Sequence, residues 1–287
     1  IDMKMAEGAG AVTNIKNVYL IGPTEEKVTA VKHGNNQDIW VLTHTWESND
    51  FYAYLITADG LNPNPVISTV GAYHSGPPGK THGCMKASPT GDKIAIVVRS
   101  FESFELLDFD PFTGQLSDPI MFNQSYSTAY GIEFSPDGSK LYVSDYTLES
   151  RLYQFDLNAG SPDEIINSET IVGTVDNQFI ASLQLASDGK LYVAKHDYPQ
   201  GDPYLGVVNY PNKPGTECDF IEDGFYLGGR ECFYGLPTFI QSYVLPVSFS
   251  FSNNCLGSMT IFTIDDTTSI DSVLWKFNDY INHPYDT

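Results

Sequence analysis

The chain has 287 residues, enough for one large domain or two ordinary ones, and 41% of them are hydrophobic, which excludes wholesale disorder. With 36 acidic against 15 basic side chains the formal net charge is −21, which excludes a nucleic-acid backbone as partner and otherwise favours solubility. Only 18% of residues are charged, while Tyr, Phe and Gly number 18, 17 and 24, a mixture that suits a β-rich fold; no run of eighteen apolar residues is present to span a membrane.

Residues 1 to 22 read as the outer two strands of a first β unit. Ile1-Asp2-Met3-Lys4-Met5 alternates, and Asn17-Val18-Tyr19-Leu20-Ile21 is the second of the two. Neither an initiator Met nor a signal peptide stands at the start, so the chain is expected to be processed or to be a piece of a longer protein.

Self-similarity then decides the fold. Three segments share one text: Met85-Lys86-Ala87-Ser88-Pro89-Thr90-Gly91-Asp92-Lys93-Ile94, Ile132-Glu133-Phe134-Ser135-Pro136-Asp137-Gly138-Ser139-Lys140-Leu141, and Leu183-Gln184-Leu185-Ala186-Ser187-Asp188-Gly189-Lys190-Leu191. Each is an alternating strand, a glycine turn of the kind a tight hairpin needs, and a second strand. A looser copy runs from Ala30 to Leu42. Counted from Ile39, Ile94, Leu141 and Leu191, the units are spaced by 55, 47 and 50 residues.

A third strand is predicted in each unit (Phe51 to Thr57, Phe104 to Asp110, Leu152 to Leu157, Tyr204 to Tyr210), followed by a turn and a shorter fourth strand. Four strands per repeat at this period predict propeller blades, and a generic sandwich would not repeat the same text in register. Gly235-Leu236-Pro237-Thr238-Phe239-Ile240 reads as the innermost strand of a following blade. The fold class expected is therefore all-β: a β-propeller over residues 1–243, with about four full blades and parts of two more.

Four cysteines do not define a disulfide scaffold. Cys218 and Cys232 flank a Gly-rich loop and are the candidate bridge in an oxidising compartment, with two free buried thiols as the alternative. Cys84 and Cys255 have no evident partner in the sequence.

After Tyr243 the texture changes. Val247 to Gly257, Thr260-Ile261-Phe262 and Ile270-Asp271-Ser272-Val273-Leu274-Trp275-Lys276-Phe277-Asn278-Asp279 resemble the opening strands of a PKD domain, an immunoglobulin-like β-sandwich. Trp275, Phe277 and Asp279 match the hallmark of that family, Lys276 and Asn278 depart from it, and Trp275 would be the core Trp. Residues 244–287 are thus expected to be a partial PKD-like domain.

Together the two parts resemble the secreted and cell-surface propeller-plus-PKD proteins of Bacteroidetes, many of which carry type IX secretion sorting domains of the gliding-associated type. The resemblance rests on Thr24 to His33, Ile39 to His44 with Phe51 to Leu55, Met85 to Pro89, and most specifically Tyr130 to Val143 and Tyr234 to Ser242. It implies a seven-bladed ring with blades upstream of Ile1, further PKD-like modules downstream, and export to the cell surface or medium.

Read in register, the repeats pick out one set of equivalent positions. His44, Arg99, Tyr146 and His196 each lie five residues after the start of a second strand, at the loop that opens on a propeller's binding face. His74, Lys80 and His82, and Tyr126 to Tyr130, lie in loops entering inner strands on the same face. The preferred reading is a non-catalytic recognition or adhesion module, with a glycan or protein ligand at a mouth formed by His44, Arg99, Tyr146, His196, His74 and His82.

A sharper version makes His44, His74, His82 and His196 metal ligands, but no His-Glu-x-x-His-type spacing supports it, so no metal is expected there. A lactonase-type hydrolase is the alternative, with Glu47, Asp50, Asp145 and Asp197 as candidate carboxylates by position; Gly-x-Ser-x-Gly is absent. A third reading is a subunit or cargo that docks on type IX secretion or gliding machinery. No cofactor is expected: calcium is compatible with turns such as Asp137-Gly138, but EF-hand-type spacing is missing and turn geometry already explains them.

Overall fold

The computed structural model describes residues 4–14, 16–77, 82–99, 103–122, 126, 128–241, 249–252 and 261–264. The chain divides into two compact units, Ile1–Leu245 and Pro246–Thr287.

The first unit is four antiparallel sheets met in chain order, the four-blade β-propeller arrangement. Blade A holds β1 (Thr24–Lys32), β2 (Ile39–Thr45), β3 (Ser48–Thr57), the two-residue β4 (Gly60–Leu61) and β5 (Val66–His74). Blade B holds β6 (Met85–Ala87), β7 (Lys93–Val97), β8 (Phe104–Phe109) and β9 (Leu116–Phe122). Blade C holds β10 (Ala129–Phe134), β11 (Lys140–Asp145), β12 (Glu149–Asp156) and β13 (Thr170–Asp176). Blade D holds β14 (Phe179–Leu185), β15 (Leu191–Asp197), the short β16 (Gln200–Gly201), β17 (Tyr204–Val208) and β18 (Phe220–Tyr226). Strand β6 lies against β1 and β10, and β10 against β14, so the first strand of every blade is the innermost.

The repeated text builds the repeated hairpin. Gly91, Gly138 and Gly189 take φ of +75°, +70° and +74°, which a Cβ would penalise, and each donates its N–H back to the carbonyl of Ser88, Ser135 or Ala186. The Ser88 and Ser135 hydroxyls add a second clasp, accepting from the Lys93 and Lys140 amides at 3.0 and 2.9 Å. In blade A Asn36, at φ +62°, takes the glycine's part, which is why the first copy looks loose in the sequence.

Blades are tied to their neighbours by aromatic residues on their second strands. The Trp40 indole donates to the Pro111 carbonyl at 2.9 Å, and the Tyr142 hydroxyl to the Pro211 carbonyl at 2.7 Å. Between blades B and C the core is aromatic: Phe104 stacks on Phe122 at 4.2 Å and meets Phe155 edge-on at 5.4 Å. The innermost strands also bury charge. Lys86 of β6 donates to Gln184 of β14 at 2.7 Å and pairs with Glu133 of β10 at 3.1 Å.

One short helix, α1 (Pro162–Asn167), joins β12 to β13, with Ser161 as N-cap and Glu164 closing a capping box. Ser161→Ala is expected to cost about 1 kcal/mol of unfolding free energy in urea denaturation, because the Glu164 amide loses the Ser161 hydroxyl as its acceptor.

Three expectations need correction. Asn17 to Ile21 is not a strand: positive φ at Ala6, Glu7, Gly8, Gly10 and Asn17 breaks the extended run, and Val18, Tyr19 and Leu20 stay exposed. Gly235 to Ile240 forms no strand either; Tyr234 only accepts the Ser182 amide at 3.0 Å, and Gln241 reaches Glu133 at 2.8 Å. Cys218 and Cys232 are both free. Cys218 packs in the core between blades C and D with Tyr142 and Val208, whereas Cys232 packs near Tyr146 and Ala194, so the Gly-rich loop does not bring them together.

In the second unit, β19 (Phe249–Ser252) and β20 (Ile261–Ile264) form an antiparallel hairpin. Cys255 and the stretch from Ile270 to Asp279, which carries the PKD resemblance, lie outside the described residues.

Candidate functional site

The aligned positions part company. Strands β7 and β11 stop before Arg99 and Tyr146; Arg99 lines the mouth, whereas Tyr146 is buried behind it. His196 remains in β15, opposite Phe179 of β14, at the same end of its blade.

These three side chains come together. The Arg99 guanidinium sits 4.4 Å above the Tyr146 ring, a cation–π contact, and the Tyr146 hydroxyl lies 3.1 Å from His196 Nε2. Tyr234 stacks on Tyr146 at 5.7 Å and leans on His196 at 4.6 Å, while Tyr130 faces Tyr146 at 5.7 Å. In front of them is an open cleft of about 330 Å³ lined by Glu26, His82, Arg99, Tyr130 and Tyr234. His82 also holds Arg99 through its carbonyl, which accepts the Arg99 amide at 2.8 Å.

Burial sets the protonation states. It raises Tyr130 and Tyr146, so both phenols are donors at neutral pH, and it lowers His196. A neutral His196 that accepts from Tyr146 at Nε2 carries its proton on Nδ1. The cleft can thus offer two phenol faces, a guanidinium and the Glu26 carboxylate, which accepts the Gly83 amide at 3.0 Å.

His44 and His74 are elsewhere. The short turn after β2 keeps His44 in the strand, paired with Phe51, on the same side as Trp40 and Leu42; its side chain is 0% exposed. Its ring lies 4.1 Å from that of His74, tilted by 34°, inside a buried group with Glu25, Lys27 and Glu105. His74 Nδ1 lies 3.0 Å from Glu25 and Nε2 lies 3.1 Å from Glu105, two acceptors that only an imidazolium satisfies. Burial alone would lower His74, but those carboxylates outweigh it and raise it. His44 goes the other way, down to about 3, through burial and the His74 charge beside it.

The four histidines therefore do not share a centre: His44 with His74 is one pair, His82 lines the mouth, and His196 is buried behind it against Tyr234. Lys80 lies outside the described residues. Tyr126 turns into the aromatic core, where its hydroxyl donates to Glu169. None of the four candidate carboxylates lines the cleft. Asp145 is buried and accepts from the Arg151 amide and Tyr153, Asp50 accepts from Thr69 at 2.6 Å, Glu47 turns at φ +58°, and Asp197 is exposed beside Gln200.

Sequence reasoning missed Tyr234 and Glu26 at the mouth, and Glu25, Lys27 and Glu105 in the buried group. Tyr234 was within reach, because Tyr234-Gly235 repeats the Tyr130-Gly131 text. So was Glu25, since Glu25, Lys27, Thr29 and Val31 alternate on one face of β1 and all four are buried.

No family model and no curated protein matches the chain. Solved structures match at low identity. A Bacteroides uniformis protein provisionally assigned as a 6-phosphogluconolactonase is 14% identical over 70% of this chain and 56% of its own, with a TM-score of 0.43. A Bacteroides fragilis protein with the same provisional assignment is 13% identical over 70% and 56%, with a TM-score of 0.41. The Swd1 β-propeller domain from Myceliophteria thermophila is 12% identical over 60% and 50%, with a TM-score of 0.37. The chain spans about half the length of these structures, and likenesses of this size carry no argument about activity. What stands is the fold that the blades themselves show: an all-β propeller arrangement of four blades.

Proposed function

We propose that the chain is a non-catalytic extracellular recognition module that holds a glycan or protein ligand at the propeller mouth. The observation that carries this reading is the cleft itself, where Arg99 lies on Tyr146 beside Tyr130 and Tyr234. Tyr and Arg are the residues that anchor interfaces, since each combines a large flat face with a polar tip at low entropic cost. A sugar ring or a loop side chain would lie against the phenol faces, with Glu26, His82 and the Arg99 guanidinium fixing its orientation. The resemblance to exported propeller-plus-PKD proteins supports a place at the bacterial surface, with residues 244–287 beginning a PKD-like stalk. Docking to type IX secretion or gliding components is the protein-ligand form of the same proposal.

A glycan array and a surface-protein capture with the purified chain test this reading. Arg99→Ala and Tyr234→Ala are each expected to weaken the captured ligand by about 10- to 30-fold, equivalent to about 1.4–2 kcal/mol. Undiminished binding in the double variant would move the site off the mouth. Lactone turnover that disappears in Glu26→Gln would replace recognition by hydrolysis.

A further inference from the structure

The buried group in blade A contains an unexplained histidine. His44 has neither ring nitrogen hydrogen-bonded among the described residues, although its side chain is 0% exposed. Burying an imidazole without partners is costly, and packing alone does not require one between Phe51 and His74. Its Nδ1 lies 3.8 Å from Glu25 Oε2, and one ligand atom each from Glu25, His44 and His74 falls within a 4.8 Å span.

We propose that Glu25, His44 and His74 form a binding site for a divalent first-row transition ion of the zinc class. Two imidazoles and a carboxylate are a donor set that suits such ions. Ligand atoms about 2.0–2.1 Å from a tetrahedral ion stand ~3.3 Å apart. His74 Nδ1 stands 3.0 Å from Glu25 Oε1 and His44 Nδ1 3.8 Å from Glu25 Oε2, so the two imidazoles flank one carboxylate, each at its own oxygen, at distances on either side of that value.

The surroundings match the role. Glu105 accepts from His74 Nε2 and would leave Nδ1 to face the ion, the carboxylate–histidine arrangement that orients metal ligands. Glu105 is itself held by the Ala72 amide at 3.1 Å, and it presses so closely on Gly71 that a Cβ there would lie 2.2 Å from its Oε2. Lys27, 2.8 Å from Glu25 Oε2, is the cation that the metal would displace from that oxygen, and the His74 Nδ1 proton would leave to solvent.

The chain, stripped with a chelator, is titrated with Co²⁺ alone. The expected result is one equivalent bound with the visible absorption of a four-coordinate nitrogen–oxygen site, and large paramagnetic shifts of two imidazole ring protons in the wild-type NMR spectrum. His44→Gln is expected to weaken Co²⁺ at least ~100-fold, His196→Gln to leave it unchanged, and Lys27→Met to tighten it. Absence of stoichiometric uptake by the wild type overturns the proposal. So does a thiolate charge-transfer band, or a spectrum unchanged in His44→Gln. Should that variant not fold, the wild-type NMR shifts decide, and shifts confined to one imidazole overturn it as well. Ligand capture at the mouth is independent of these readouts.

Discussion

Glu133→Ala is expected to destabilise the propeller unit by about 3–5 kcal/mol, read as a fall in the urea midpoint at unchanged slope. Glu133 lies on the innermost strand of blade C with 0% exposure. Its carboxylate accepts the Phe134 and Leu185 amides at 3.0 and 3.1 Å and the Gln241 side chain at 2.8 Å, and pairs with the Lys86 ammonium at 3.1 Å. Truncation leaves Lys86 charged and buried with Gln184 as its one remaining acceptor among the described residues, and it leaves three donors without the acceptor they had.

The decisive control is the second variant. Removing the stranded charge in Lys86→Met/Glu133→Ala is expected to recover at least about 1 kcal/mol of the loss, because the two groups share one network. Simple additivity would show that the pair is solvated and does not tie three blades together.

Phe104→Ala is expected to cost a similar amount, about 3–5 kcal/mol, by a different mechanism. The ring is 1% exposed and stands between blades B and C, stacked on Phe122 and edge-on to Tyr126 and Phe155 at 5.0 and 5.4 Å. The three rings around it cannot collapse into the vacated volume without breaking their mutual geometry, so the cavity persists. Phe104→Leu, which keeps most of the volume, is expected to cost less than half as much in the same denaturation experiment. Equal costs for the two variants would mean that ring stacking, not volume, dominates.

The blades were legible in the sequence for a local reason. A strand–turn–strand unit is specified by alternation and by a residue that tolerates positive φ, and both are properties of a dozen consecutive residues. Gly91, Gly138 and Gly189 mark the turns, and the inner strands of blades B, C and D lie where their text places them. The same logic failed at Asn17 to Ile21 and at Gly235 to Ile240. Each has apolar residues at strand-like spacing but pairs with no strand among the described residues, and a strand exists only with a partner.

The mouth was half legible. The repeat register named Arg99, Tyr146 and His196 as equivalent, and all three meet. It named His44 with equal force; His44 is as buried as His196 and likewise stays in its strand, but it meets His74 and Glu25 in blade A instead of the tyrosines. Period sets which residues correspond; neighbours distant along the chain set what each of them meets.

Lys86, Glu133 and Gln184 show the same division. Their common register on three inner strands is written in the repeats, Met85-Lys86, Ile132-Glu133 and Leu183-Gln184. Their meeting depends on how three blades close around one axis, which no single repeat encodes. The sequence by itself determined the β unit, its period and its hairpins, because those follow from short-range backbone preferences. Only the tertiary structure decided which polar residues are buried together, Glu25 with His44 and His74, Lys86 with Glu133, because burial of charge is settled by partners that are distant along the chain.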